Sequence, residues 1–256
     1  MPTLAELTWP EAEQALRRAA VAILPVGSIE QHGPHLPLDT DAAIAEALAA
    51  RLADALGERA VLCPPVRYGL SEHHLAFAGT VTVGVNSYLA MLKDIVAGLG
   101  LRRVLIVNGH AGNIDALRLV CRQARSEHGL LVAHLMWLQL ARDEIRKWAR
   151  SPRFGHACEI ETSIAMALMP DRVRMDALPE PAELPSFEEL SDPPAPMVDE
   201  PTRTHEWTRS GALGDPRQAT REAGLAIVDV VHRRSVEFAQ RFIERSVSAE
   251  PIRGSG

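Results

Sequence analysis

The chain has 256 residues, of which 46% are hydrophobic, 23% charged and only 4% aromatic. These are globular proportions, and the core must be built from Ala, Leu, Val and Ile. A formal net charge of −6 with no basic tract excludes nucleic acid as the main partner. No apolar run approaches the roughly 20 residues that span a bilayer, so no membrane partner is expected either.

The opening stretch, MPTLAELTWPEAEQALRRAA, carries acids and lacks a continuous apolar core, so it does not read as a signal peptide. VAILPVG (21–27) is a short apolar run ending at glycine, the pattern of a strand buried on both faces of a parallel sheet. AAIAEALAARLADALG (42–57) has Ala and Leu at helical spacing, with Gly57 as its C-terminal cap. VLCPPVRYG (61–69) is a second strand, made edge-like or irregular by Pro64 and Pro65.

SYLAMLKDIVAGLG (87–100) is again an amphipathic helix closed by glycine. RVLIVNGH (103–110) is the clearest strand, a helix begins directly after it at IDALRLVCRQARSE, and LLVAHLMWL (130–138) is a further strand. Strands alternating with helices predict βαβ units. Residues 170–202 are rich in proline and acids and read as a long loop or flap, and 219–247 close the chain as a long amphipathic helix. Cys63, Cys121 and Cys158 show no CxxC spacing and read as buried or incidental thiols of a reducing compartment, so a cytoplasmic location is expected.

The chemistry gathers after two of the strands. GSIEQHGPHLPLDTD (27–41) follows the first, and NGHAGN (108–113) follows the clearest one. Ligands of open α/β sheets bind beyond the carboxyl ends of the strands, so both sets fall on one rim. Glu30, His32, His35, Asp39, Asp41 and His110 offer mixed imidazole and carboxylate donors, which suit Zn²⁺, Mn²⁺ or Fe²⁺. The glycines and prolines around them let the backbone turn sharply while the side chains converge. A third set, HACEIETS (156–163), opens a helix on which Glu159 and Glu161 lie about 200° apart, so both cannot address one atom unless the first turn is irregular. Either acid is equally readable as a first-turn residue favoured by the helix N-terminus.

EQHGPHLPLDTD, NGHAGN and HACEIETS resemble the three signature stretches of the creatininase family of creatinine amidohydrolase-like enzymes. YGLSEHHLAFAGTVTV (68–83) and GALGDPRQATREAG (211–224) resemble further segments, so the likeness runs from about residue 20 to 245. The resemblance implies a three-layer α/β/α sandwich with a mostly parallel central sheet. One such domain would span 1–256, with a Pro-rich loop at about 170–216, in a homo-oligomer (a hexamer in creatininase itself). It implies two divalent metal ions per subunit, Zn²⁺, Mn²⁺ or Fe²⁺. Glu30 and His32 match ligands of different metals, Asp41 the bridge between them, and His110 a further ligand.

Creatininase has a metal-binding glutamate where Gly112 stands, and Glu159 is expected to supply the missing carboxylate. His156 is expected to pass a proton to the departing nitrogen, with Glu161 as a second catalytic residue or an orienting partner. His35 and Asp39 are expected to orient the ligands, and His73 and His74 to sit at the rim or touch substrate. Asp215 reads as a turn and cap.

The implied activity is hydrolysis of a C–N bond in an amide or cyclic amide by a hydroxide bridging the two metals. The substrate-lining tryptophan of creatininase is missing just before His156, which argues against creatinine itself. The partner would be a small-molecule amide or a short peptide. The alternatives are a peptidase of mycofactocin precursor maturation, a formamide deformylase, and a non-catalytic, metal-stabilised assembly subunit.

Overall fold

The computed structural model describes residues 3–151, 154–181 and 202–246. Four strands, β1 (Val21–Val26), β2 (Ala60–Leu62), β3 (Arg103–Asn108) and β4 (Leu131–Met136), form one parallel sheet in the order β2-β1-β3-β4. Side chains alternate across a strand, and here both faces are apolar. Val21 and Ile23 of β1 and Leu105 and Val107 of β3 join one core. Ala22, Leu24, Val26, Val104 and Ile106 join the other. This two-sided burial is why these strands read as continuous hydrophobic runs.

The helices are α1 (Trp9–Arg18), α2 (Thr40–Leu56), α3 (Val85–Gly98), α4 (Ile114–His128), the short α5 (Trp137–Leu140) and α6 (Arg142–Trp148), α7 (Glu159–Leu168) and α8 (Arg221–Glu244). α2, α7 and α8 cover the face that holds Ile23 and Leu105, where Ile44, Leu52, Ile160, Ile164, Ile227 and Phe242 are buried. α3 and α4 cover the other face through Tyr88, Leu92, Val96, Leu117 and Val120. The result is the expected α/β/α sandwich. None of the described helices is long and apolar enough to cross a membrane.

The strand expected over 61–69 shortens to Ala60–Leu62. Pro64 and Pro65 offer no N–H to a ladder, and pairing resumes only at Val66, whose N–H donates to Pro25 O at 2.9 Å. The strand expected over 130–138 stops at Met136, where Trp137 opens α5. Of the expected proline-rich loop, residues 182–201 lie outside the described residues. Its flanks are short 3-10 turns, Pro170–Arg172, Met175–Ala177, Thr204–Glu206 and Pro216–Gln218.

Two glycines bring the layers together where the strands end. A Cβ on Gly27 would lie 2.4 Å from Ala42 Cα, and one on Gly109 would lie 2.1 Å from Asp41 O. Any larger residue would push the first turn of α2 off the sheet. Gly109→Ala should therefore cost about 1–3 kcal/mol through overpacking, measured by urea denaturation. Gly98→Ala, in open space at the end of α3, should be neutral or stabilising by up to about 1 kcal/mol.

Candidate metal centre

The turn after β1, the turn after β3, and the first turns of α2 and α7 meet above the carboxyl ends of the strands. They deliver Glu30, His32, Asp41, His110, His156 and Glu161, all but His156 almost fully buried. Three overlapping groups have donor atoms within 4.8 Å of one another: Glu30–His32–His156, Glu30–His73–His110 and His32–Asp41–Glu161.

The histidines are oriented alike. His32 Nδ1 lies 3.1 Å from Glu30 O, His110 Nε2 2.8 Å from Leu70 O, and His156 Nε2 2.6 Å from Gln31 O. A carbonyl only accepts, so each of these nitrogens carries a proton, and in the neutral ring the opposite nitrogen presents a lone pair. That second nitrogen faces carboxylates in every case. His32 Nε2 lies 3.2 Å from Asp41 Oδ1, and His110 Nδ1 lies 3.0 Å from Asp41 Oδ2. His156 Nδ1 lies 3.7 Å from Glu30 and 3.9 Å from Glu161. A backbone acceptor on one nitrogen and a free lone pair on the other is how metal-binding histidines are commonly held.

The carboxylates are placed with equal economy. Ser28 Oγ donates to Asp41 Oδ2 at 2.6 Å, and Ala157 N donates to Glu161 Oε2 at 2.5 Å. Ala157 adopts φ +48, a left-handed conformation that is uncommon for alanine. Glu30 Oε2 is buried without a hydrogen-bond partner.

Burial pushes Glu30 up and Glu161 up to about 7. Burial works against protonation of His32 and His110 too, yet nearby carboxylates, Asp41 for the first and Glu30 for the second, prevail and raise them to about 10 and 9. Asp41, in turn, is held well below its ordinary value by those two histidines, despite its burial. The group as a whole therefore demands positive charge. An orphaned carboxylate oxygen, three lone-pair nitrogens and two further buried carboxylates fit divalent cations of the Zn²⁺, Mn²⁺ or Fe²⁺ type.

Glu159, expected to supply the missing carboxylate, lies outside these donor groups. Its Oε1 accepts from Arg150 N at 3.2 Å and Ser151 N at 2.8 Å, and its Oε2 from Asp215 N at 3.4 Å. The two acids of α7 point in different directions, as their angular separation requires, and Glu161 is the one that faces His32 and Asp41. Position 112 could not have carried an acid without rearrangement. A Cβ there would lie 2.4 Å from His110 Nε2 and 2.5 Å from Leu70 O, the very pair that orients His110.

His35 and Asp39 hold neighbouring segments rather than the cluster. His35 Nε2 is 2.8 Å from Thr162 Oγ1, and Asp39 pairs with Arg67 and Arg172. Asp215 caps its turn as expected, accepting from Arg217 N at 3.1 Å. His73 and His74, left open between rim and substrate contact, enter the cluster. His74 is buried, with Nε2 3.4 Å from Glu30 Oε1, and His73 is stacked on His110 at a ring separation of 5.8 Å. Their pattern, two histidines after an acid in a turn, was the only signal available in the sequence.

A family model described as creatinine amidohydrolase (Creatininase) matches residues 5–239. The mycofactocin precursor peptide peptidase of Mycobacterium ulcerans (strain Agy99) is 33% identical over 239 residues, 89% of this chain and 87% of its own length. The creatinine amidohydrolase of Pseudomonas putida is 28% identical over 248 residues, 88% of this chain and 91% of its own. A solved creatininase structure described as a manganese form superposes with a TM-score of 0.76 at 26% identity, covering 94% of this chain and 98% of its own. A variant creatininase structure is described as a Zn–Zn type.

The geometry gives Glu159 a separate role, in joining loops. Gly155 N donates to Leu213 O at 2.9 Å and Leu213 N to His156 O at 2.7 Å, so the backbone of His156 is clamped to the segment whose Asp215 N Glu159 receives. Glu159→Ala should leave the part-buried N–H groups of Arg150 and Ser151 without their acceptor and cost about 1 kcal/mol in denaturation. Amide exchange should rise at residues 150–151 and 213–215, and Glu159→Gln, which keeps one acceptor, should show a smaller effect.

Proposed function

Since the chain belongs to the creatininase family of amidohydrolases, we propose that it hydrolyses the C–N bond of an amide substrate with two divalent cations held by Glu30, His32, Asp41, His110 and Glu161. The observation that carries this reading is the division of Asp41, with Oδ1 toward His32 and Oδ2 toward His110. One oxygen thereby serves a set formed with Glu161 and the other a set formed with Glu30. A pair of cations so held would lower the pKa of water and polarise the scissile carbonyl.

The remaining residues do what side chains must do around such a pair. His156 is kept neutral by burial, which holds it well below the ordinary imidazole range. With its proton on Nε2 committed to Gln31 O, its free Nδ1 would relay to the departing nitrogen the proton that the attacking water gives up. Ala157 N holds Glu161 Oε2 and leaves its other oxygen for the cation. Ser28 fixes the rotamer of Asp41. The first turn of α7 so becomes part of the centre, supplying in space what Gly112 cannot supply in sequence.

A cleft of about 500 Å³ lies between Pro179–Pro181 and His205–Ser210. Gly211, next in the chain after Ser210, accepts from Gln31 Nε2 at 3.1 Å. The main reading is a small or cyclic amide. A peptide substrate is the second reading, supported by the 33% identity to the mycofactocin peptidase against 28% to the creatinine amidohydrolase. We also propose a homo-oligomer, supported by the exposed Leu38, Leu75 and Val81.

Metal analysis and turnover on a panel of lactams, formamides and peptides test the proposal. Glu161→Gln should lose one of two metal equivalents and Asp41→Ala both, whereas Glu159→Gln should keep both. His156→Ala should keep both and lose about a hundred- to ten-thousand-fold in turnover. Full activity after exhaustive chelation would overturn the reading.

A further inference from the structure

Gln31 stands between Glu30 and His32 but points away from them, and every polar atom it has is used. Its N–H donates to Thr80 Oγ1 at 3.1 Å, and its carbonyl accepts from His156 at 2.6 Å. Its side-chain Oε1 accepts from Gly33 N at 2.9 Å, and its Nε2 donates to Gly211 O at 3.1 Å. A backbone N–H can only donate and a carbonyl can only accept, so these two contacts fix which end of the amide is nitrogen. That nitrogen lies 2.9 Å from His74 Nδ1.

An amide N–H facing Nδ1 requires a lone pair there, and the proton of neutral His74 must then sit on Nε2. Nε2 is 3.4 Å from Glu30 Oε1, while Glu30 Oε2 has no hydrogen-bond partner. Position 211 is tailored to the same contact. It has φ +86, and a Cβ there would lie 1.7 Å from Gln31 Oε1.

We propose that Gln31 and His74 form a positioning relay: Gln31 fixes the His74 tautomer, and the Nε2–H so presented faces Glu30 Oε1, the oxygen that His110 Nδ1 also approaches at 3.4 Å, and orients that carboxylate. The relay rests on the metal reading above, and it ties the Gly211 segment, which flanks the cleft, to a carboxylate of the centre. His74 acts through Glu30; it does not touch the reacting atoms.

Nitrogen-15 NMR of histidine-labelled, metal-free protein reads the tautomer directly and needs no variant. His74 should be protonated at Nε2 and unprotonated at Nδ1; the opposite tautomer or a cationic ring overturns the relay. Titration with Mn²⁺ or Zn²⁺ reads its consequence. His74→Leu should weaken one of the two metal equivalents by about 10- to 100-fold, and His74→Gln, which can still offer an N–H to Glu30, should recover most of that loss. Unchanged affinity in a folded His74→Leu protein overturns the relay while leaving the metal reading intact. A wild-type protein that binds neither ion overturns the metal reading itself, and the relay's role with it.

Discussion

The whole upper end of the molecule depends on one electrostatic constraint: three carboxylates, Glu30, Asp41 and Glu161, are buried together. Two like charges about 4 Å apart repel by roughly 4 kcal/mol even at an effective dielectric near 20. Desolvation adds to that cost for each ion. Their ion-pair partners are histidines: His74, His110 and His156 for Glu30, His32 and His110 for Asp41, and His156 for Glu161. Protonated histidines relieve part of the strain, as the raised values of His32 and His110 indicate. Divalent cations relieve it more completely, because they can accept lone pairs from carboxylate and neutral imidazole together.

Much of the surrounding architecture follows from satisfying that constraint without adding further buried charge. The groups that orient the centre are nearly all neutral. Backbone carbonyls of Glu30, Leu70 and Gln31 orient three imidazoles, a hydroxyl orients Asp41, and a backbone N–H orients Glu161. Glycines at 27 and 109 let α2 come close enough for Asp41 to reach both sets, and Gly112 protects the contact between His110 and Leu70. A larger residue at any of the three would act on the centre through the backbone rather than through lost chemistry.

Local pattern made the βαβ units and the shared rim of polar residues legible, and the resemblance to the creatininase family added the three-layer sandwich. Two-sided apolar strands ending in Gly-rich turns announce a parallel sheet, and ligand-type residues just past two such ends share a rim. The choice between Glu159 and Glu161 was not legible. Helical phase shows that the two acids diverge, but not which of them faces inward. That is decided by the left-handed turn at Ala157 and by the 150–151 and 215 loops, whose N–H groups capture Glu159. The contact with Asp215 crosses 56 residues of chain, beyond any spacing rule. His74 was hidden for the same reason, since its importance comes from Gln31, 43 residues away.

The position of Glu161 also bears on how this branch of the family keeps a carboxylate while the loop after β3 does not provide one. A glutamate on that loop would move with the Gly109–Asn113 turn, whereas one in the first turn of α7 moves with His156 and the Gly211–Asp215 segment. Glu159 Oε2, the backbone of Gly155 and His156, and Gln31 all hold that segment. Gly211 follows Ser210, which lines the cleft, so a cation set containing Glu161 would share its supporting segment with one end of that cleft. Substrate contact near Ser210 would then be felt at the metal centre through hydrogen bonds to Gln31. A carboxylate fixed on the turn after β3 would have no such connection.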